Sequence, residues 1–440
     1  MSDTDTTTTT FDAAALEALP ARAVATGGIR EQAFARFVAT PLPSKETEEW
    51  RYTDVSDLVF DQVPYSEGGA AETLDDVPDR VLEAADVVGD RAGLQIQRNG
   101  DVIITHLAKD LVDEGVILGD LDLAASEHRD LVEEHLHSVV PIDRSKFTAL
   151  HAAFRTGGTF LYVPPDVQVE LPIQTLTYLD ADGGAVFPHT LLIADRGSEV
   201  TFIDRYASPD LRRALSDAVV EIVAGDGAHV KYIGLQDWGT GVQHVGVTRA
   251  RVGRDAQVRS LGVAFGGTLA RGEVEIELAG DGSRTELLGV YFGDGDQHID
   301  HRSIQLHRGS RSSSDLLYKG ALRDASSAIY TGTVIIDHDA HLCDAYQTNR
   351  NILLSEQAKA MSVPNLEILT DDPTRCGHAA SVGPVSEDEL FYLQSRGIPR
   401  DEAERLIVFG FFAEVLDRID LPEVREGIER SIEAELARVG

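Results

Sequence analysis

The chain has 440 residues and a formal net charge of −35, from 39 basic against 74 acidic side chains. So acidic a surface repels phosphate backbones and anionic headgroups, which argues against nucleic acid and against an anionic membrane as partners. The two cysteines, Cys343 and Cys376, can build neither a disulfide framework nor a four-cysteine metal or cluster site within one chain.

Taken in order, residues 1–10 form a Thr-rich tail expected to be disordered. The tail shows no signal-peptide pattern, so a soluble, cytoplasmic chain is expected. Phe11 to Val38 reads as helix, with Leu16, Leu19, Phe34, Phe37 and Val38 on apolar faces and a break near Gly27 and Gly28. Pro41 and Pro43 end it. Trp50 and Tyr52 are expected to anchor the following connection. Leu94 to Leu107 reads as a hairpin around the Asn99-Gly100 turn signal. Asp120 to Val139 and Phe147 to Phe154 read as helices, with Leu131 and Leu136 facing inward. Residues 11–156 thus read as a mixed α/β cap.

A repeat follows. Short strand patterns flank tight polar turns that begin at Val163, Ala194, Ala224, Val252, Ala279, His307 and Asp337, in steps of 31, 30, 28, 27, 28 and 30. Flanks such as Val219–Val223 and Val230–Leu235 alternate or run apolar as strands do. Gly and Asp occupy the turns, where positive φ is tolerated. A period near 30 with strand chemistry and no helical interruption predicts a parallel β-helix or a related two-sheet β-solenoid over residues 157–360. An antiparallel sandwich is the competing architecture. A solenoid's end coils need caps, and uncapped sheet ends offer strand edges to other chains.

Within the array, His298/His301 and His338/His341 are paired three apart. On strands that spacing points to opposite faces, so surface or turn histidines are expected. Asp315, Lys319, Arg323 and Asp324 could form an acid/base cluster on one face, which keeps a solenoid carbohydrate-active enzyme open as an alternative. No carboxylate pair at a hydrolytic spacing is evident.

Residues 361–440 read as a C-terminal, mainly helical region, near whose start Leu366 to Leu369 reads as the last strand. Cys376 and His378 then stand two apart, on one side of an extended chain. Thiolate and imidazole are both common iron or zinc ligands. Two ligands do not complete a site; another chain, or Cys343, would supply the rest. A buried Cys beside a hydrogen-bonded His is the equal alternative, and a homodimeric zinc-binding protein is a further one. Ser386 to Glu389 carries a capping-box pattern opening a helix with Leu390, Phe391 and Leu393. A long helix follows, with Leu406, Ile407, Phe409, Phe411, Phe412, Val415, Leu416 and Ile419. Its apolar surface is wider than one stripe, and it either packs on the solenoid or is partly offered to a partner. Its longest apolar run, Leu406 to Ala413, is too short to span a bilayer.

Several linked motifs carry a resemblance: Ala345–Ser355 (AYQTNRNILLS), Ser362–Ile368, Cys376–Gly383 (CGHAASVG), Phe391–Ile398 (FYLQSRGI) and Ile407–Ile419. Together they resemble the SufB/SufD family of iron–sulfur cluster assembly proteins, strongly over about 75 residues and more weakly through the array, where Gly157–Gln174 also fits. Ala379 stands where the SufB type has Glu, and the chain lacks that type's further cysteines, so it is placed as SufD-like. The resemblance implies a right-handed parallel β-helix between helical ends and a non-catalytic scaffold subunit. It implies pairing with a SufB-like paralogue and binding of a SufC-like ABC ATPase through the C-terminal helices; an isolated chain could form a homodimer. It implies a transient iron–sulfur cluster at the subunit interface, with none in the isolated chain. Within that site it makes His378 a contributor, with Cys376 as the motif cysteine. It also implies an ATPase contact on Ser395, Arg396, Ile407, Phe409, Phe411 and Phe412. The chain has no P-loop, so ATP hydrolysis would fall to a partner.

Only 6 of the basic residues are Lys. This acid-rich, Lys-poor surface reads as adaptation to a saline cytoplasm, because self-repulsion of that size needs counterion screening. The melting temperature is expected to fall on dilution into low salt. A melting temperature indifferent to salt overturns that reading.

Overall fold

The computed structural model describes residues 10–19, 28–55, 58, 60–64, 69 and 71–437. Most of the expected tail, and the Gly27 half of the expected helix break, lie outside them. Two ten-stranded sheets face each other. From residue 159 onward the chain alternates between them, one strand in each sheet per coil, giving a β-solenoid of about 8 turns. Neighbouring coils pair in parallel and in continuous register, as in Val230 beside Val200 on one side and Val258 on the other.

The polar turns read from the sequence all fall at one edge, where the second sheet hands the chain back to the first. Each places one residue at positive φ: Asp166, Gly197, Gly227, Asp255, Gly282, Arg311 and Leu342. Each of these donates its backbone N–H to a carbonyl in the next turn, at 2.7–3.2 Å, from Asp166 to Arg196 through Leu342 to Asp372. The repeat in the sequence is therefore a ladder of stacked turns. Inside that corner runs a buried column of small residues, Ser198, Ala228, Ala256, Ser283, Ser312 and Cys343. Cys343 continues it, with its thiol against the Ser312 hydroxyl at 3.3 Å and the Ala340 carbonyl at 3.5 Å.

The N-terminal region closes one end. The hairpin of Gly93–Arg98 and Asp101–Leu107 extends the first sheet, with Asn99 and Gly100 both at positive φ as its turn requires. The strand Ile117–Asp120 pairs antiparallel with Thr159–Val163 and ends the second sheet. The helices Ile29–Ala39 and Lys146–Phe154 pack over the second sheet's outer face. Trp50 stacks on Phe147 at 4.9 Å and lies under the Arg271 guanidinium at 3.9 Å, so it anchors the connection. Tyr52 and Val38 do not share that role: Tyr52 is exposed, and Val38 is 65% exposed.

The other end is open. The strands continue to Arg375–Pro384, past residue 360 and past the strand expected to end at Leu369. This final strand contains the Cys-x-His pair. Lys359–Ile368 and Arg375–Pro384 are the outermost strands of their sheets and largely exposed. The helices that follow, Glu387–Ser395, Arg400–Leu416 and Pro422–Ala437, do not cap this end. They turn back along the outer face of the first sheet. Val408, Phe412, Val415, Ile428 and Ile432 pack there on Ile233, Leu261, Leu288, Leu317 and Phe292. The long helix carries a wide apolar surface because one side meets the sheet and another meets its helical neighbours.

The helix Lys146–Phe154 covers Asp217, whose side chain is fully buried with Oδ2 unpartnered. Burial pushes its carboxyl well above the usual range. A raised carboxyl favours folding while protonated, and that contribution is lost as pH rises from the unfolded value through the folded one. Asp217→Asn is therefore expected to raise the melting temperature at neutral pH and to change little below about pH 4. Calorimetry at the two pH values checks this; an equal shift at both would assign the effect to packing.

Candidate functional site

Two interior columns of the first sheet lead to the open end. One runs Val200, Val230, Val258, Thr285, Ser314, Ala345 and Cys376; the other runs Phe202, Tyr232, Ser260, Leu287, Leu316, Gln347 and His378. Cys376 and His378 therefore share one face, as their spacing predicts, and it is the face that looks into the solenoid. No coil follows to cover them. Cys376 is half-buried against the cluster of Val334, Ile336, Cys343 and Ala345. Burial, then the neighbouring Cys343, pushes its thiol up, so at rest it is protonated. His378 is exposed.

Cys343 does not complete the pair. It is fully buried in the corner column, with its sulfur occupied by carbonyls and a hydroxyl. Among the described residues, no group of three or more His, Cys, Asp or Glu donors includes Cys376 or His378. Arg375 flanks them, paired with Asp344 at 2.8 Å and lying over the Tyr346 ring at 5.3 Å. Gly377 fits against that ring, where an added Cβ would come to 3.0 Å.

The motifs that carried the resemblance meet beneath the site. Asn349 donates to the Tyr291 hydroxyl at 3.1 Å, Asn351 donates to Asn349 at 2.8 Å, and Ser362 bonds Asn349. Gln347, directly under His378, donates to the Asn365 carbonyl at 3.2 Å. These buried amides tie the two outermost coils together. A contact across coils leaves no local pattern in the sequence.

The other candidate residues are distributed as follows. Ser395 and Arg396 are exposed at the end of the helix Glu387–Ser395; Ile407, Phe409 and Phe411 are half-buried. Phe412 is fully buried against the sheet, so an outward contact through it would require the helix to leave its seat. Apolar residues outside the expected contact set also face outward here: Phe391 at 73% and Tyr392 at 57% exposure on the helix Glu387–Ser395, and Leu406 at 45% on the next. The Ser386 cap, accepting from the Glu389 N–H at 3.3 Å, sets the helix phase that exposes Phe391 and buries Leu390.

Three of the four charged residues that left an enzyme reading open are spent on packing, while Asp324 is an exposed turn residue accepting the Gly295 N–H at 3.1 Å. Asp315 pairs with Arg418 at 2.7 Å, Lys319 with Glu414 at 2.7 Å, and Arg323 donates to the Glu435 carbonyl at 2.8 Å. All three fasten C-terminal helices to the first sheet. The expected surface histidines are only partly so. His298 faces outward onto Thr53 at 3.0 Å, and His301 faces inward, 5.0 Å from the Tyr291 ring. Among the described residues, no helix is long and apolar enough to cross a membrane.

Comparison with known proteins places this geometry. Residues 177–411 match the family model described as SUF system FeS cluster assembly, SufBD core domain, and residues 16–175 match that of the SufBD protein N-terminal region. The iron–sulfur cluster assembly protein SufD of Bacillus subtilis is 35% identical over 412 residues, covering 92% of each chain. An iron–sulfur cluster assembly SufBD family protein of Staphylococcus haemolyticus is 30% identical over 393 residues, covering 87% of this chain and 83% of that one. A counterpart in Staphylococcus saprophyticus is 29% identical over the same length. The coils, the open end with its Cys-x-His strand and these matches over nearly the whole chain agree: the chain belongs to the SufB/SufD family of iron–sulfur cluster assembly proteins.

Proposed function

We propose that the chain is a non-catalytic scaffold subunit for iron–sulfur cluster assembly, SufD-like in type. It pairs with a SufB-like paralogue through its open solenoid end and binds a SufC-like ABC ATPase through its C-terminal helices. One observation carries this reading. Cys376 and His378 end the interior columns at an uncovered coil, as two donors with no third protein donor beside them among the described residues. A second chain docked on that end would cover the unpaired strand edges and supply the missing ligands. His378 is the exposed donor, and Cys376 becomes one once a cation lowers its thiol's affinity for the proton. Met361, Ile368, Leu369 and Val382, exposed around the same end, suit burial by a partner.

The ATPase contact is placed on Phe391, Tyr392, Ser395, Arg396 and Leu406, with Ile407, Phe409 and Phe411 behind them. Only Val385 and Ser386 separate the strand of the Cys-x-His pair from this helix, so a shift at the contact reaches the site directly. The nascent cluster is cargo, held transiently between the two chains.

The test is co-expression in high salt with the ATPase and the paralogue from one organism, followed by pull-down and iron and sulfide analysis. A stable complex carrying iron and sulfide supports the reading. A chain that binds neither protein and instead holds zinc at Cys376 and His378 overturns it.

A further inference from the structure

Far from the open end, the described residues contain a buried group of imidazole and carboxylate donors that cluster assembly leaves unused. It lies between the outer face of the second sheet and the segment of residues 136–140. Glu221 and His189 project from neighbouring strands, both with fully buried side chains. The Glu221 carboxylate accepts the backbone N–H groups of His137 at 2.7 Å, Val139 at 2.9 Å and Val140 at 2.8 Å. Its Oε1 also lies 3.1 Å from His189 Nε2.

Donor counting makes that last contact informative. His151 Nδ1 faces the Asp217 carbonyl at 2.8 Å, and a carbonyl only accepts, so Nδ1 carries the hydrogen. In the neutral ring His151 Nε2 is then an acceptor. His189 Nδ1, 3.1 Å away, must donate to it. That leaves a neutral His189 with its Nε2 lone pair aimed at a carboxylate oxygen. Two acceptors face each other with both side chains fully buried, which is unfavourable unless a proton or a cation lies between them. His137 stands beside both. Its ring centroid is 5.3 Å from that of His189, and its backbone is held at φ +60. The donor atoms of His137, His189 and Glu221 all lie within 4.8 Å of one another.

We propose that His137, His189 and Glu221 form a binding site for a divalent transition-metal ion, zinc by preference, which fastens the segment of residues 136–140 to the solenoid. Two imidazoles and a carboxylate are a common three-residue zinc set, with water in the fourth position. Tetrahedral bonds of about 2.0–2.1 Å place neighbouring donor atoms about 3.3 Å apart, close to the 3.1 Å between Nε2 and Oε1. The supporting shell is also in place. The His189 ring is oriented by His151, itself held by a carbonyl, and the carboxylate is fixed by three N–H groups. Metal-binding histidines are held in this way. His137 is only half-buried and offers the route in.

The test uses the full chain in high salt, stripped with chelator and titrated with zinc, alongside His137→Gln and a Cys376→Ser/His378→Ala double variant. One equivalent of zinc is expected for the wild type and for the double variant. In His137→Gln, affinity is expected to fall by more than about 100-fold, beyond the roughly 10–100-fold that outer-shell changes alone produce. Cobalt in the wild type should give four-coordinate visible bands without a thiolate charge-transfer band, a readout that stands even if His137→Gln fails to fold. No binding by the wild type overturns the proposal and leaves a shared proton between His189 and Glu221. Binding lost in the double variant but kept in His137→Gln overturns it in favour of the open end.

Discussion

Phe412→Ala is expected to cost about 3–5 kcal/mol of stability, the usual loss for emptying a fully buried phenylalanine site, while Phe391→Asp costs almost nothing. The two side chains sit on adjacent C-terminal helices with opposite environments, Phe412 fully buried on the sheet and Phe391 73% exposed. Phe412→Asp would be worse than the alanine, since it leaves an unpaired charge among Val408, Leu288 and Phe292. Phe391→Asp should stay within about 0.5 kcal/mol of the parent, as solvent-facing changes do. The order reverses for partner binding. Phe391→Asp is expected to abolish capture of the ATPase, because a charge would then face an apolar contact. Urea unfolding of the isolated chain and pull-down of the ATPase measure the two effects separately. Unimpaired capture by Phe391→Asp would move the contact off this helix.

His378→Ala is expected to strip iron and sulfide from the assembled complex while leaving the chain folded. The side chain is exposed at the end of its column, and nothing rests on it except what docks there. The change in unfolding free energy should therefore stay within about 0.5 kcal/mol. Cys376→Ser should lower cluster yield less. Its thiol is held protonated by burial, and half of its role is to fill the space beside Ala345 and Leu366. Iron and sulfide content of complexes purified side by side, with melting temperatures of the free variants, decides between them. Normal cluster content in His378→Ala would remove the pair from the site.

The coils were legible in the sequence because each turn must supply its own positive-φ residue. Gly197, Gly227 and Gly282 are local signals that survive without any alignment. The spacing of Cys376 and His378 also read correctly as one face. The identity of that face did not, because inside and outside look alike until Ala345 and Gln347 are known to lie beneath them. The length of the array was underestimated for a related reason. Arg375–Pro384 is a strand with only partial burial, and so lacks the apolar alternation that marks the others. The sequence places Phe412 in the expected contact and leaves Phe391 out of it, because it cannot tell an apolar residue that has found its partner within the chain from one that has not. The His137–His189–Glu221 group gave no signal at all, since its members are 52 and 32 residues apart along the chain (189 − 137 and 221 − 189).

The long helix laid across the strands also fixes how many coils the protein can have. Stacked turns by themselves impose no count: a coil could be lost or duplicated and its neighbours would still find the same hydrogen bonds. The helix Arg400–Leu416 has 17 residues, hence a length of about 26 Å. It sits in an apolar cluster, shared with the helix Pro422–Ala437, that includes one row of equivalent residues from five successive strands, Ile203, Ile233, Leu261, Leu288 and Leu317, which at a strand spacing of about 4.8 Å spans about 19 Å. Remove one coil and the row shortens by a quarter, leaving apolar helix surface without sheet beneath it. Repeat proteins commonly drift in length over evolution. Here an element outside the repeat acts as a gauge, and it would select against any change in coil number that the repeat itself would permit.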